Sequence, residues 1–394
     1  MKQSKNTRIL QIAADKNILF AKKAFSTLGE VKLLEQKDIT NENIRDFDAL
    51  IVRSTTKIDE KLLSGTNIKF VGSTVGGVDH IDEEYLQKAG IALSTATGCN
   101  SRSVVEYVLT AIYSFCKYRE VLPKDMTVGI VGVGNIGGHL AEILKNLGIK
   151  TILNDPLREK NGESGFSSLD FLAKNSDIVT IHVPLTKSGE HKTQNLIGED
   201  FFAKMKDSSI LIQTSRGDVC DEKAFVKASK IWKKPLAEMP KFYIDVWQNE
   251  PNVNADFVKI CSIRTPHIAG HSFDGKINGT KMIYEACCAH FSKKTKFDFE
   301  SEVFSKIKKQ IIKYEKDDVY STRDILQDCC PTVWDSLYFA VNFLNQKKAE
   351  DRKKTFREVR QDYPKRLEFK HFKIKNAPEE IKDELKTLGF NLSK

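Results

Sequence analysis

The sequence predicts an α/β protein: two doubly wound parallel sheets in succession, followed by a small α+β region. Three observations carry this expectation. Short apolar runs alternate with helical patterns from residue 7 to about 95, and the alternation resumes near residue 127. Beyond about residue 296 the chain has more charge and no glycine-rich turns. In the first region RILQIAA, ALIVRS, KFVGST and IALST each end in small or polar residues, as strands of a buried parallel sheet do. Between them NILFAKKAFSTLG and DEEYLQKAG have helical periods. A long helix follows in NSRSVVEYVLTAIYSFCKYREV, opened by Asn100 and Ser101. The second sheet is expected from TVGIVGVG, KTILND, DIVTIHVP, SILIQTS, KFYIDVW and CSIRTP. Another helix is expected at about 274–294, and near the C-terminal end RLEFKHFKIK is a β-like patch. The expected domains are residues 1–105, completed by the helix near 274–295; residues 106–273; and residues 296–394.

Composition narrows the functional classes. The 394 residues are 40% hydrophobic and 29% charged, which is ordinary globular composition with enough chain for two or three cores. A net charge of +9 arises from 62 Lys+Arg against 53 Asp+Glu, mixed along the chain as in KKQIIKYEKDD. That pattern is a lysine-rich solvated surface, not the clustered basic face of a nucleic-acid binder. A basic surface does favour anionic small substrates through steering. The eight cysteines form no CxxC pair, and the two CC dipeptides lack zinc-ligand spacing, so no metal is expected. Reduced thiols and no signal peptide point to the cytoplasm. VVEYVLTAIYSF is too short to span a bilayer and contains Glu106, so no membrane partner is expected.

The sharpest local signal is TVGIVGVGNIGGHLAEILKNLGIKTILNDP. Gly132, Gly134 and Gly137 form GxGxxG between a strand and a helix, the fingerprint of a Rossmann-like dinucleotide site. The helix start offers free N–H groups and a positive dipole end to a pyrophosphate. Asp155 ends the next strand, where a carboxylate accepts from ribose hydroxyls and repels a 2′-phosphate. NAD is therefore favoured; Arg158 nearby leaves NADP as the minor alternative. Because the fingerprint begins after residue 128, the preceding α/β region is a separate domain, and a small substrate is expected in a cleft between the two.

Three polar residues follow at consecutive strand ends: Arg216 in TSRGDVCDE, Glu250 in DVWQNEP and His267 in TPHIAG. Each has a plain alternative alone, as a surface ion pair, a turn residue before Pro251 and a core hydrogen-bond donor. Together, on the carboxyl edge behind a dinucleotide fingerprint, they form a set suited to alcohol oxidation. An imidazole takes the hydroxyl proton near neutral pH, a carboxylate fixes its tautomer, and a guanidinium holds a substrate carboxylate.

In order, GIVGVGNIG, HVPLT, TSRGDVCDE, DVWQNEP and TPHIAG resemble the D-isomer-specific 2-hydroxyacid dehydrogenases. VRSTTKID, KFVGSTVGGVDHID, TGCNSRSVVEYV and FDGKINGT resemble the branch of that family that oxidises 4-phospho-D-erythronate in vitamin B6 synthesis. FREVRQDYPKRLEF and LKTLGFNL resemble, more loosely, its dimerisation region. The resemblance implies Arg216, Glu250 and His267 as catalytic residues and a homodimer. It implies NAD contacts at Gly134, Asn135, Ile136, Asp155, Ser215, Asp245 and Gly270, with Gly132, Gly137 and Thr214 beside them. It implies a phosphorylated 2-hydroxy acid as substrate, held by Arg53, Ser54, the Val75–Gly76–Gly77 loop and His271. The sequence departs from the branch at Val75, where threonine is usual, and at His271, where tyrosine is. Those two positions leave open another D-2-hydroxy acid, such as 3-phosphoglycerate or glyoxylate. A dinucleotide-sensing corepressor is the alternative of another class, though a sensor does not need the Glu–His pair.

Overall fold

Apolar runs of the kind found here become strands buried on both faces. The computed structural model describes residues 8–207, 209–231, 241–314 and 321–393. By their contacts they fall into two units, Met1–Asn100 with Ser272–Lys308 and Ser101–His271 with Lys309–Lys394.

The first unit holds β1 (Leu10–Asp15), β2 (Gly29–Leu34), β3 (Ala49–Val52), β4 (Phe70–Ser73) and β5 (Ala92–Thr95). All neighbours pair in parallel, in the order β2-β1-β3-β4-β5. β3 and β4 are buried at every position. The helix Phe273–His290 packs on this sheet; Ser272 caps it by accepting from the Gly275 N–H at 2.8 Å. β2 was not expected. It is an edge strand, GEVKLL, exposed at Glu30, Lys32 and Leu33, and edge strands carry charge instead of a continuous apolar run. The helical pattern expected in NILFAKKAFSTLG is reduced to Ala21–Phe25.

The second unit holds β6 (Thr127–Val131), β7 (Lys150–Asn154), β8 (Ile178–Ile181), β9 (Ile210–Gln213), β10 (Lys241–Ile244) and β11 (Ile263–Arg264). These are the six expected strands, again all parallel, in the order β11-β10-β9-β8-β6-β7. The two Rossmann-like sheets of an α/β fold are thus both present. The order reverses between β6 and β8, and ligands of such sheets bind at the carboxyl ends near that reversal. The helix Ser101–Arg119 is buried continuously from Ser103 to Cys116.

A third sheet is made of β12 (Gln310–Lys313), β13 (Phe372–Lys375) and β14 (Asn391–Ser393). Only β13 was legible, as RLEFKHFKIK; β12 is largely exposed and β14 is three residues long. Phe369, Ile374, Leu385, Leu388 and Phe390 of this region share one apolar core with Val104, Leu140, Ile143 and Ile178. Among the described residues, no helix is long and apolar enough to cross a membrane, and no group of three or more His, Cys, Asp and Glu could hold a metal ion.

Candidate active site

The turn after β6 is shaped to receive a dinucleotide. A Cβ at Gly137 would lie 2.0 Å from the Gly132 carbonyl oxygen, so the helix Gly137–Asn146 can start this close to the turn only with glycine. At Gly134 a Cβ would meet nothing within 4 Å, so the turn is open where a pyrophosphate would approach. Asn135 and Ile136 complete the helix start. The Asp155 carboxylate accepts from the Val133 N–H at 2.9 Å and the Arg158 N–H at 3.2 Å, one bond per oxygen. Each oxygen keeps a lone pair for a ribose hydroxyl. These residues fit the expected dinucleotide, NAD.

The turn after β9 carries Thr214, Ser215 and Arg216. Gln213, which the sequence reading passed over, organises it. Its side-chain oxygen accepts from the Ser215 N–H at 3.1 Å and hydroxyl at 2.8 Å, and its amide donates to the Arg216 carbonyl at 3.0 Å. Thr214 Oγ1 is 3.5 Å from Nδ1 of His182, which burial holds neutral by pushing its pKa down to about 3. Gly217 lets this turn meet the next one: a Cβ there would lie 2.0 Å from the Trp247 carbonyl. Arg216 is half-buried, with Nη1 donating to the Ser215 carbonyl at 2.9 Å.

Glu250 and His267 form the pair expected of them. Oε2 of Glu250 lies 2.8 Å from Nδ1 of His267, and Oε1 accepts from the Trp247 N–H at 2.8 Å. Burial pushes the Glu250 carboxyl up, but His267, Arg360 and the Trp247 N–H outweigh it and hold it below the ordinary value. An ionised carboxylate can only accept, so Nδ1 carries the proton and Nε2 is left as the base. Both residues are presented by left-handed backbone, Asn249 at φ 58° and His267 at φ 58°. For a non-glycine residue that costs of order 1–2 kcal/mol, so the surroundings must hold it.

Asp245 does much of that holding. Its carbonyl accepts from the His267 N–H at 2.8 Å. Its carboxylate accepts from the N–H groups of Ile268 and Ala269 at 2.8 and 2.9 Å and from the Thr265 hydroxyl at 2.6 Å. Gly270 and His271 follow directly. Asp245, expected as a contact of NAD, has a buried carboxylate that brackets the segment presenting the histidine.

From the other side comes the C-terminal region. Arg366, almost fully buried, donates to the Ala269 carbonyl, to the Ser103 carbonyl at 3.2 Å and to Cys330 Sγ at 3.2 Å. The Tyr363 ring stands 6.4 Å from that of His271. Glu222 accepts from the Gln248 N–H at 2.7 Å, and burial, with Glu250 among the nearby carboxylates, pushes it up to about 7. By its resemblance, FREVRQDYPKRLEF was expected to belong to a dimerisation region.

The expected substrate residues outside His271 lie in the first unit. Arg53, just past β3, donates from Nε to the buried Asp15 carboxylate at 2.9 Å, an ion pair at the strand end. Ser54 beside it is exposed. The Val75–Gly77 loop rests on the segment after β5: the Ala96 N–H donates to the Val75 carbonyl at 3.2 Å, and Gly76 has no room for a Cβ nearer than 3.2 Å to Thr97 Cα.

Residues 111–269 match the family model described as the NAD-binding domain of D-isomer-specific 2-hydroxyacid dehydrogenases. The erythronate-4-phosphate dehydrogenase of Wigglesworthia glossinidia brevipalpis is 37% identical over 97% of this chain and 98% of its own. That of Klebsiella pneumoniae (strain 342) is 43% identical over 71% of this chain and 73% of its own. Among solved structures, NAD+-bound 3-phosphoglycerate dehydrogenase of Entamoeba histolytica superposes with a TM-score of 0.60 at 25% identity, covering 74% of this chain and 98% of that one.

Proposed function

Because the chain belongs to the erythronate-4-phosphate dehydrogenases, within the D-isomer-specific 2-hydroxyacid dehydrogenases, we propose that it oxidises the C2 hydroxyl of 4-phospho-D-erythronate. The product is 3-hydroxy-2-oxo-4-phosphooxybutanoate, on the route to pyridoxal 5′-phosphate. The observation that carries this reading is the Glu250–His267 pair, on the same sheet edge as Arg216 and behind an open glycine turn. NAD, when bound, accepts the hydride. His267 Nε2 takes the hydroxyl proton, and the Glu250 carboxylate stabilises the resulting imidazolium at Nδ1. Arg216 holds the substrate carboxylate and polarises the reacting oxygen. We assign Arg53, Ser54, the Val75–Gly77 backbone and His271 to substrate binding; histidine donates to a phosphate as tyrosine does. NADH formation with 4-phospho-D-erythronate is expected to exceed that with 3-phospho-D-glycerate by at least about 100-fold in kcat/KM. Equal or reversed preference would keep the mechanism and move the substrate to another D-2-hydroxy acid, with Val75 and His271 as the cause.

We further propose a homodimer formed through the helix Thr332–Leu344. Trp334 and Tyr338 are 70% and 61% exposed, and Val333, Leu337 and Val341 share their face. A row of large apolar side chains at helical spacing is a surface for burial, and a self-complementary two-fold contact is the commonest way to bury it. Sedimentation should show a dimer at micromolar concentration and a monomer for Leu337→Glu; a monomeric wild type overturns the proposal. The eight free cysteines, all buried, support a reducing, cytoplasmic location.

A further inference from the structure

Arg158 sits three residues beyond Asp155, on the short helix Pro156–Lys160. That is where an arginine would meet a 2′-phosphate on the adenosine ribose of a dinucleotide. All three of its guanidinium nitrogens are already engaged. Nη1 donates to the Val133 carbonyl, inside the glycine turn, at 2.7 Å. Nε donates to both Glu163 oxygens, at 2.9 and 3.0 Å, and Nη2 donates to Oε2 of the same carboxylate. The Phe166 ring centroid is 5.5 Å from the guanidinium carbon.

We propose that Glu163 is a specificity residue for the cofactor: by occupying Arg158, it withholds that guanidinium from a 2′-phosphate and sets a second carboxylate beside Asp155, and so disfavours NADP. The plainer alternative is that the pair only fastens the 155–166 turn. Two observations favour specificity. Arg158 is anchored to the glycine turn itself through Val133, so its guanidinium is held at the adenosine end of the site. Both Glu163 oxygens are committed to Arg158, and each group's charge favours the ionised form of the other. The pair is 40% and 47% exposed, and exposed pairs are screened by water and salt, so the exclusion it provides is a modest factor. Asp155 supplies the remainder by repulsion.

The inference rests on Asp155 receiving the adenosine ribose, and NADH binding by the unsubstituted protein checks that premise separately. The test is fluorescence titration with NADPH and with NADH, without substrate, on Glu163→Gln and on the double variant Arg158→Gln/Glu163→Gln. Glu163→Gln should tighten NADPH about five- to tenfold and leave NADH within about twofold, since a charge-assisted fork to phosphate becomes available. The double variant should lose that gain. Unchanged NADPH affinity in Glu163→Gln, with NADH still bound, overturns the proposal. So does a gain that survives in the double variant, because it would not pass through Arg158.

Discussion

Replacing His267 by Asn is expected to lower kcat for oxidation of the hydroxy acid by about 10²–10⁴, the usual worth of a positioned general base. The dissociation constant for NADH stays within about threefold, because His267 contributes to the dinucleotide turn neither backbone nor side chain. The separation matters because the residue also has a structural reading. Its backbone is left-handed, and its N–H is fixed by the Asp245 carbonyl at 2.8 Å. Asparagine tolerates that backbone better than most residues, so the substitution removes the imidazole with little added strain. Joint loss of activity and NADH binding would sink the catalytic assignment and make the histidine a folding element. His271→Asn is the companion measurement: its effect should fall on KM for the phosphorylated substrate, with kcat changed far less.

Arg366→Met should destabilise the second unit by about 3–5 kcal/mol, the cost of breaking a buried charged network from one side. A unit of this size then melts roughly 6–20 °C lower. Burial disfavours the charge on Arg366, but Cys330, Tyr363, Glu106 and Asp335 around it outweigh that and keep it protonated. Methionine fills similar volume, so the loss reports on the hydrogen bonds to Ala269, Ser103 and Cys330 more than on a cavity. Calorimetry decides: a shift below about 2 °C with full activity would show that the guanidinium carries little.

The parts legible in the sequence are those whose physics is local. A glycine turn between strand and helix, a carboxylate one strand later and polar residues at three strand ends can each be read within ten residues or so. What escaped reading depends on distant partners. β2, β12 and β14 lie where little apolar surface is buried, so they leave no apolar run. Gln213 looks like an ordinary polar strand end until its side chain is seen spanning its own turn. Asp245 was expected as a cofactor contact, but the three groups its carboxylate binds lie 20 to 24 residues onward. Arg366 is 97 residues from the carbonyl it holds, and nothing in PKRLEF announces that.

That last contact bears on how such chains can change. The 3-phosphoglycerate dehydrogenase of Entamoeba histolytica superposes over 98% of its own length but only 74% of this chain. About a quarter of this chain therefore has no counterpart in that structure. Arg366 ties the C-terminal region to the second unit, since the segment after His267 accepts a hydrogen bond from its guanidinium, as does the start of the helix Ser101–Arg119. Removing the C-terminal region would take the Arg366 guanidinium from the Ala269 and Ser103 carbonyls, and grafting it onto another core would leave Arg366 buried without these acceptors. The two parts therefore pack as one unit, in which a substitution on either side must be accommodated on the other.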